Sequence, residues 1–187
     1  MKEMVYMKGL LVLSHDVEDL EALGTRDLLM RAGLEIVTAT FEKTLTVNTA
    51  YGLSIKADKN AKEAAVNDFD FLVIPGGPYV AKKIERDKNI KRLAKEFTDR
   101  KKLVAAICAG PRFLAQAGLL DGRRFTAFPG SEKDAPNGIY RPEKKALTHK
   151  GIITARGPGA VYDFAYEIVK ELLGRKKAQT LLKEIQY

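Results

Sequence analysis

The feature that most restricts the fold is a regular alternation of short apolar runs and helical segments, joined by turns rich in glycine and proline. The runs have the length and uniform apolar character of strands buried on both faces of a parallel sheet. They cover 9–14, 34–40, 69–74, 103–107 and 152–155. Segments with helical spacing cover 16–32, 89–100, 112–117, 160–173 and 176–185, and a short β excursion is predicted at 44–55.

This order of elements predicts an α/β protein with a doubly wound, mostly parallel sheet sandwiched by helices. The 187 residues contain no internal repeat or long linker, which predicts one domain over 1–187, with a core at about 8–174 and a C-terminal helix at about 176–185. Ligands of such sheets bind beyond the carboxyl ends of the strands. The turns after Ile74, Ile107 and Ala155 are therefore expected to converge on one site.

The composition excludes several kinds of site. Cys108 is the only cysteine, so an intramolecular disulfide and a thiolate zinc site are both impossible. The lack of disulfides and of a long apolar run favours a cytoplasmic protein without a membrane span. Residues 1–6 lack the pattern of a signal peptide. We expect no metal and no other cofactor.

The net charge of +8 raises the question of nucleic acid. The lysines and arginines are dispersed, nearly every cluster has an acidic residue nearby, and no aromatic residues interleave them as a stacking platform requires. The charge therefore predicts a solvated surface and no specific nucleic-acid site.

The turn at Cys108 has the features of a reactive thiol. An apolar strand runs directly into the cysteine, Ala109 and Gly110 permit a tight reversal, and Pro111 suits the first turn of a helix. A helix N-terminus stabilises a thiolate, so a lowered thiol pKa is predicted. The pattern resembles a nucleophile elbow, although the Gly-x-Ser-x-Gly motif is absent. A buried, inert cysteine is the alternative.

Three segments together resemble the DJ-1/ThiJ/PfpI superfamily: 105–111 around the cysteine, 74–77 with Pro-Gly-Gly, and 156–159 with Arg-Gly-Pro-Gly. The chain is most similar to the branch of the Parkinsonism-associated DJ-1 proteins and bacterial YajL-like proteins, from Lys8 to about Gly174. The resemblance implies a flavodoxin-like sheet of the class I glutamine amidotransferase type. It also implies a homodimer formed through the first helix and neighbouring loops.

The resemblance supplies an acidic partner for the thiol. The family's functional glutamate corresponds to Glu21, in the segment 18–21. From the residues alone Glu18, one helical turn earlier, is an equal candidate at the edge of the site. A carboxyl group in this place can share a proton with the thiolate and act as a general acid–base.

Backbone donors for an anion at the thiol are also implied by the resemblance. Gly77 and Ala109 match the positions whose N–H groups form the oxyanion site, and Gly76 lies at its edge. A tight turn with positive φ accounts for the two glycines equally well. Arg156 is expected to anchor its own turn and not to bind substrate.

A histidine partner for the cysteine is missing from both expected places. Ala109 stands where the peptidase-like branch has one, and Phe128 stands where the DJ-1 branch has one. The absence of a Cys–His dyad argues against peptidase activity. His15 follows the first strand and can reach the edge of the site, although a surface role is favoured. His149 is assigned to a basic β-turn unrelated to the site.

Two functions are compatible with these residues. The first is a cofactor-independent stress protein that acts on reactive dicarbonyls such as methylglyoxal, or on their adducts with protein amines and thiols, as glyoxalase III and deglycases do. Cys108 is then the nucleophile and Glu21 the acid–base. The alternative is a redox sensor or stress chaperone in which Cys108 oxidises to a sulfinate. An intracellular peptidase ranks below both.

Overall fold

The computed structural model describes residues 7–187, so the prediction about residues 1–6 lies outside the described residues. Its strands, in chain order, are β1 (Lys8–Leu13), β2 (Glu35–Thr40), β3 (Thr46–Asn48), β4 (Ser54–Lys56), β5 (Lys59–Asn60), β6 (Phe71–Ile74), β7 (Leu103–Ile107), β8 (Arg124–Phe125), β9 (Ile139–Tyr140), β10 (Ala146–His149) and β11 (Ile152–Ala155). Its α-helices are α1 (Thr25–Arg31), α2 (Pro78–Lys83), α3 (Asn89–Asp99), α4 (Pro111–Gln116), α5 (Val161–Leu173) and α6 (Arg175–Glu184).

The main sheet has seven strands in the order β10-β11-β7-β6-β1-β2-β5. Neighbouring strands are parallel except for the antiparallel pair β10 and β11. The chain leaves β1 toward β2 on one side, and later extends from β6 to β7 and β11 on the other. The switch point lies between β1 and β6, where an open α/β sheet forms its crevice. The predicted doubly wound, flavodoxin-like fold is confirmed.

The apolar runs form strands because both of their faces are covered. Every residue of β6 and β7 is buried, and the helices flank the sheet. In α3, the buried residues Ile90, Leu93, Ala94 and Phe97 follow helical spacing and form the face that packs inward. Among the helices of residues 7–187, none combines the length and apolar character needed to cross a bilayer.

The first helix begins later than the predicted residue 16. Asp16 has a φ of 62°, in the left-handed region. Its N–H donates to Asn48 O at 2.8 Å, and Glu18 N donates to Gly76 O at 3.0 Å. These long-range hydrogen bonds replace a helical turn, so the helical segment starts with a π-helical turn at Leu20–Gly24 and continues into α1.

Two other elements differ from the sequence-based expectation. The Gly-Pro turn after β6 leads directly into the short helix α2, because proline fits the first turn of a helix. The assignment of His149 to a β-turn is wrong: it lies in β10, a half-buried edge strand that pairs with β11. The predicted β excursion is confirmed as the antiparallel hairpin of β3 and β4.

Candidate active site

The turns after three parallel strands meet at the switch point. The segment after β1 carries Glu21, the turn after β6 carries Gly76, and the end of β7 leads into Cys108. Gly76 N donates to Glu21 Oε2 at 2.8 Å. A Cβ atom added at Gly76 would lie 2.7 Å from Cys108 Cβ and 2.8 Å from Glu21 Oε2. The glycine therefore lies against both the thiol-bearing residue and the carboxyl group.

The backbone at Cys108 is strained and firmly held. Its φ of 63° lies in the left-handed region, which is uncommon for a residue with a side chain. Its N–H donates to Ala155 O at 2.9 Å, and its carbonyl accepts from Phe128 N at 2.8 Å. Strain of this kind clusters at functional sites, where the surrounding structure supports it. The geometry matches the sharp strand-to-helix turn predicted from the sequence.

Glu21 is a fully buried carboxyl group with few partners. It lies in the π-helical turn, a distortion often found at functional sites. Among residues 7–187, its Oε1 has no hydrogen-bond partner, whereas Oε2 accepts from Gly76. The Cys108 thiol is close enough to alter the Glu21 pKa. The carboxyl and the thiol are therefore neighbours.

Burial controls the pKa values of this pair. It raises the pKa of Glu21 to about 7 and prevails over the hydrogen bonds with Cys108 and Gly76, which lower this pKa. The nearby charge of Glu18 also raises it. Burial also raises the pKa of Cys108, and the adjacent Glu21 adds to the effect. The prediction of a lowered thiol pKa is wrong, because burial and Glu21 outweigh the Ala109 N–H, which acts in the opposite direction.

The other predicted site residues have distinct positions. Glu18 Oε2 accepts a hydrogen bond from Glu21 N at 2.7 Å, so Glu18 supports the turn that carries Glu21. Gly77 has a φ of 125°, and a Cβ there would lie 2.4 Å from Asp16 O. Gly77 is thus required by both conformation and space. The exposed His15 uses Nδ1 to accept from Asn48 N at 3.1 Å, which directs it toward the β3–β4 hairpin.

Beside the cysteine turn is a cavity of about 330 Å³. Phe128 forms one wall and is 50% exposed. The remaining lining includes Pro129, Tyr140, Arg156 and Pro158. Cys108 is not itself a lining residue, but it is hydrogen-bonded to the segment that carries Phe128. No sequence pattern predicts the place of Tyr140 beside the cavity, because it depends on pairing between the short strands β8 and β9.

Comparisons with known proteins show the family of the chain. Residues 7–171 match the DJ-1/PfpI family. The chain is 33% identical over 184 residues to "Glutathione-independent glyoxalase DJR-1.2" of Caenorhabditis elegans, covering 97% of this chain and 98% of the relative. It is 33% identical over 167 residues to "Deglycase PfpI" of Pyrococcus furiosus, covering 89% and 99%.

A solved structure extends the agreement to the fold. The structure described as "Toxoplasma gondii DJ-1, oxidized" superposes with a TM-score of 0.88 and 32% sequence identity, covering 97% of this chain and 98% of that one. The chain belongs to the DJ-1/PfpI family. Its relatives at this level of identity include proteins named as a glyoxalase and as a deglycase.

Proposed function

We propose that this protein is a cysteine-dependent, cofactor-independent enzyme of the cytoplasm that converts reactive dicarbonyls such as methylglyoxal, or their adducts with amines and thiols. One observation carries the proposal: the buried Glu21 carboxyl, with a pKa raised to about 7, lies beside the Cys108 thiol on a strained turn. Relatives named as a glyoxalase and a deglycase support the choice of substrate.

The first step is addition of sulfur to the aldehyde. Because the pKa of Cys108 is raised, the thiol depends on a base for its activation. The Glu21 carboxylate takes the thiol proton as sulfur attacks the aldehyde carbon, and then passes this proton to the new alkoxide, which gives a neutral hemithioacetal and restores the carboxylate. The Ala109 N–H, and in this proposal the Gly77 N–H, stabilise the negative charge on the former aldehyde oxygen.

The second step moves hydrogen between the two carbons of the dicarbonyl. Glu21 removes the proton from the former aldehyde carbon and returns a proton to the adjacent carbon, while the hydroxyl proton of the hemithioacetal moves to the former ketone oxygen. One carbon is thus oxidised while its neighbour is reduced. The product is a thioester of lactate on Cys108. Water then cleaves the carbon–sulfur bond and releases lactate and the thiol. The net reaction consumes only methylglyoxal and water, so no external oxidant or reductant takes part.

The direct test is to incubate the protein with methylglyoxal and to follow lactate. Turnover is expected with the wild-type protein and is expected to vanish with Cys108→Ala. A Tyr162→Ala variant, which changes an exposed aromatic residue on α5, is the matched control. Equal lactate formation by wild type and Cys108→Ala would refute the proposal.

The second candidate function is redox sensing through Cys108. The Toxoplasma relative was solved in a state described as oxidised, which favours this candidate. Oxidation to a sulfinate consumes two equivalents of peroxide and adds two oxygen atoms to the sulfur. Intact mass after mild peroxide treatment tests it: a gain of two oxygens located at Cys108 supports the sensor, and an unmodified thiol rejects it.

We further propose that the protein forms a homodimer through its first helical segment. Leu20 and Met30 on that segment and Tyr51 and Leu53 in the neighbouring hairpin turn are exposed apolar side chains. Asp19 joins the two regions, since its carboxylate accepts from Tyr51 N at 3.1 Å. Sedimentation analysis of wild type and Leu20→Glu tests this: a dimer that dissociates in the variant is expected, and a wild-type monomer would refute it.

A further inference from the structure

The cavity beside Cys108 is much larger than methylglyoxal requires. At about 330 Å³ it falls in the size range of pockets that bind drug-sized molecules, whereas methylglyoxal has only a few non-hydrogen atoms. A substrate that left this space empty would gain no binding energy from it. The cavity therefore points to a substrate with a larger substituent next to its dicarbonyl group.

One wall of the cavity is hydrogen-bonded to the backbone of Cys108, and a second wall follows a residue that is. Phe128 N donates to Cys108 O at 2.8 Å, and Cys108 N donates to the carbonyl of Ala155, the residue before Arg156, at 2.9 Å. A molecule in the cavity thus lies beside the turn that carries the thiol. A dicarbonyl attached to that molecule can extend toward the sulfur.

The lining is suited to a flat apolar group. Phe128 presents half of its surface to solvent, and Pro129, Pro142 and Pro158 add rigid apolar surface. Tyr140 is fixed in place by its ring contact with Phe125, at 5.4 Å between centroids. Aromatic rings pack favourably against such surfaces and lose little conformational entropy when they bind.

Arg156 supplies a positive charge at the same cavity. Within the described part of the chain, no carboxylate forms a salt bridge with it. Asp163 pairs instead with Lys145, at 3.7 Å. An exposed guanidinium beside apolar walls is suited to a carboxylate, which it can bind through two parallel hydrogen bonds. The expectation that Arg156 serves only to anchor its turn does not explain why its guanidinium lies exposed at this cavity.

We propose that this cavity binds the substituent of the substrate, and that the preferred substrates are dicarbonyls bearing an aromatic ring, with higher affinity when the ring carries a carboxylate. Phe128 and Tyr140 contact the ring, and Arg156 binds the carboxylate. This assignment of substrate class rests on the proposed function. The reaction is the same internal transfer of hydrogen, so phenylglyoxal and water give mandelate.

Binding is tested without any turnover by using phenylacetate and its neutral analogue phenylacetamide. In the ¹⁵N-labelled protein, phenylacetate is expected to shift the amide signals of Phe128 and Gly157. Its affinity should exceed that of phenylacetamide by about three- to tenfold, the range for a partly exposed ion pair. Arg156→Gln should abolish this preference, whereas Arg175→Gln, a charge-matched change at the exposed start of α6, should retain it.

Turnover is tested by comparing phenylglyoxal with methylglyoxal in short assays that follow mandelate and lactate. The wild-type ratio of kcat/KM is expected to favour phenylglyoxal by about tenfold or more, since filling an apolar pocket discriminates by that amount. Phe128→Ala should lower this ratio mainly through KM, and Tyr162→Ala should leave it unchanged.

The two assays separate the substrate assignment from the proposed function. If phenylacetate binds through Arg156 but no dicarbonyl is turned over, the proposed enzyme and the aromatic dicarbonyl substrates are both rejected, and the cavity is left as a binding site for aromatic carboxylates. If methylglyoxal is turned over and phenylacetate shifts neither signal, the proposed enzyme stands and the cavity assignment is overturned. Equal binding of phenylacetate to wild type and Arg156→Gln likewise overturns the role of Arg156.

Discussion

Two glutamates near the switch point differ in how strongly their surroundings stabilise a negative charge. Glu21 is fully buried, and Gly76 N donates to one of its oxygens while the other has no partner among the described residues. Glu42 is partly exposed and is paired with the ammonium group of Lys83. It also accepts from Ser14 Oγ at 2.6 Å and from His15 N at 3.2 Å.

The pKa values of the two groups move in opposite directions. Burial would raise the pKa of Glu42, but its hydrogen bonds with Lys83 and Ser14 outweigh burial, and the pKa is lowered. At Glu21 burial prevails and raises the pKa to about 7. The fold therefore favours the ionised form of Glu42 and keeps Glu21 able to exchange its proton near neutral pH. Cationic and hydroxyl partners mark the structural carboxylate, and a thiol neighbour marks the candidate catalytic one.

The largest expected effect is on turnover. Glu21→Gln keeps the size of the side chain but removes its ability to exchange a proton. We expect kcat/KM for methylglyoxal to fall about 10²- to 10⁴-fold, the usual contribution of a general acid–base. Glu42→Gln is the matched change in the other glutamate and should leave kcat/KM nearly unchanged. Similar losses in both variants would remove the functional distinction between them.

The next effect concerns stability against pH. Because the Glu21 pKa rises from 4.5 to about 7 on folding, the unfolded state ionises first as the pH rises between these values. As the pH rises from about 4 to about 8, the free energy of unfolding of the wild type should therefore fall by up to about 3 kcal/mol relative to that of Glu21→Gln. Denaturant titrations of both proteins measure the difference. Parallel pH profiles would mean that Glu21 is not held protonated by the fold.

A smaller loss is expected from crowding the site. In Gly76→Ala the new methyl group would lie 2.7 Å from Cys108 Cβ and 2.9 Å from Ala109 N. Overpacking of this kind costs about 1–3 kcal/mol, and here it also displaces the thiol from the carboxyl. Gly159→Ala is the control, since its methyl group would meet no atom within 4 Å. Thermal denaturation that ranked the two variants equally would contradict the close approach at Gly76.

The smallest effect is expected at the structural carboxylate. Lys83→Met should cost about 1 kcal/mol near neutral pH, because this ion pair is only partly shielded from solvent. The loss should shrink as the pH falls below the ordinary pKa of a glutamate, since a lowered pKa stabilises the folded state only where the group is ionised. Arg92→Met removes a more exposed pair and serves as the control. A loss that persisted in acid would indicate packing and not charge.

The sequence predicted the features that depend on local pattern. Apolar runs identified the central strands, and the residues around Cys108 predicted its sharp turn. Only the family resemblance distinguishes Glu21 from Glu18, because both residues have equivalent spacing. Their separate roles become visible only in the structure, where the distant Gly76 N donates to Glu21 Oε2, whereas Glu18 Oε2 accepts locally from Glu21 N.

Other features required knowledge of the neighbours in space. The π-helical turn depends on hydrogen bonds from the loop before it to Asn48 and Gly76. The edge strand β10 is only half-buried, so it lacks the apolar pattern of the central strands. The thiol pKa was predicted in the wrong direction because the sequence shows the start of a helix but not the depth of burial or the distance to Glu21.

The crowding at Gly76 restricts which residues could change during evolution if the thiol were lost. Of the three nearest contacts to an added methyl group, one is a Cβ atom at position 108 and another is the backbone nitrogen of Ala109. Replacing Cys108 by alanine or serine removes neither of them. A descendant that had lost the thiol would still be constrained to keep glycine at position 76. In comparisons among such descendants, glycine at this position would identify the ancestry of the turn, whereas cysteine at 108 together with glutamate at 21 would indicate retained chemistry.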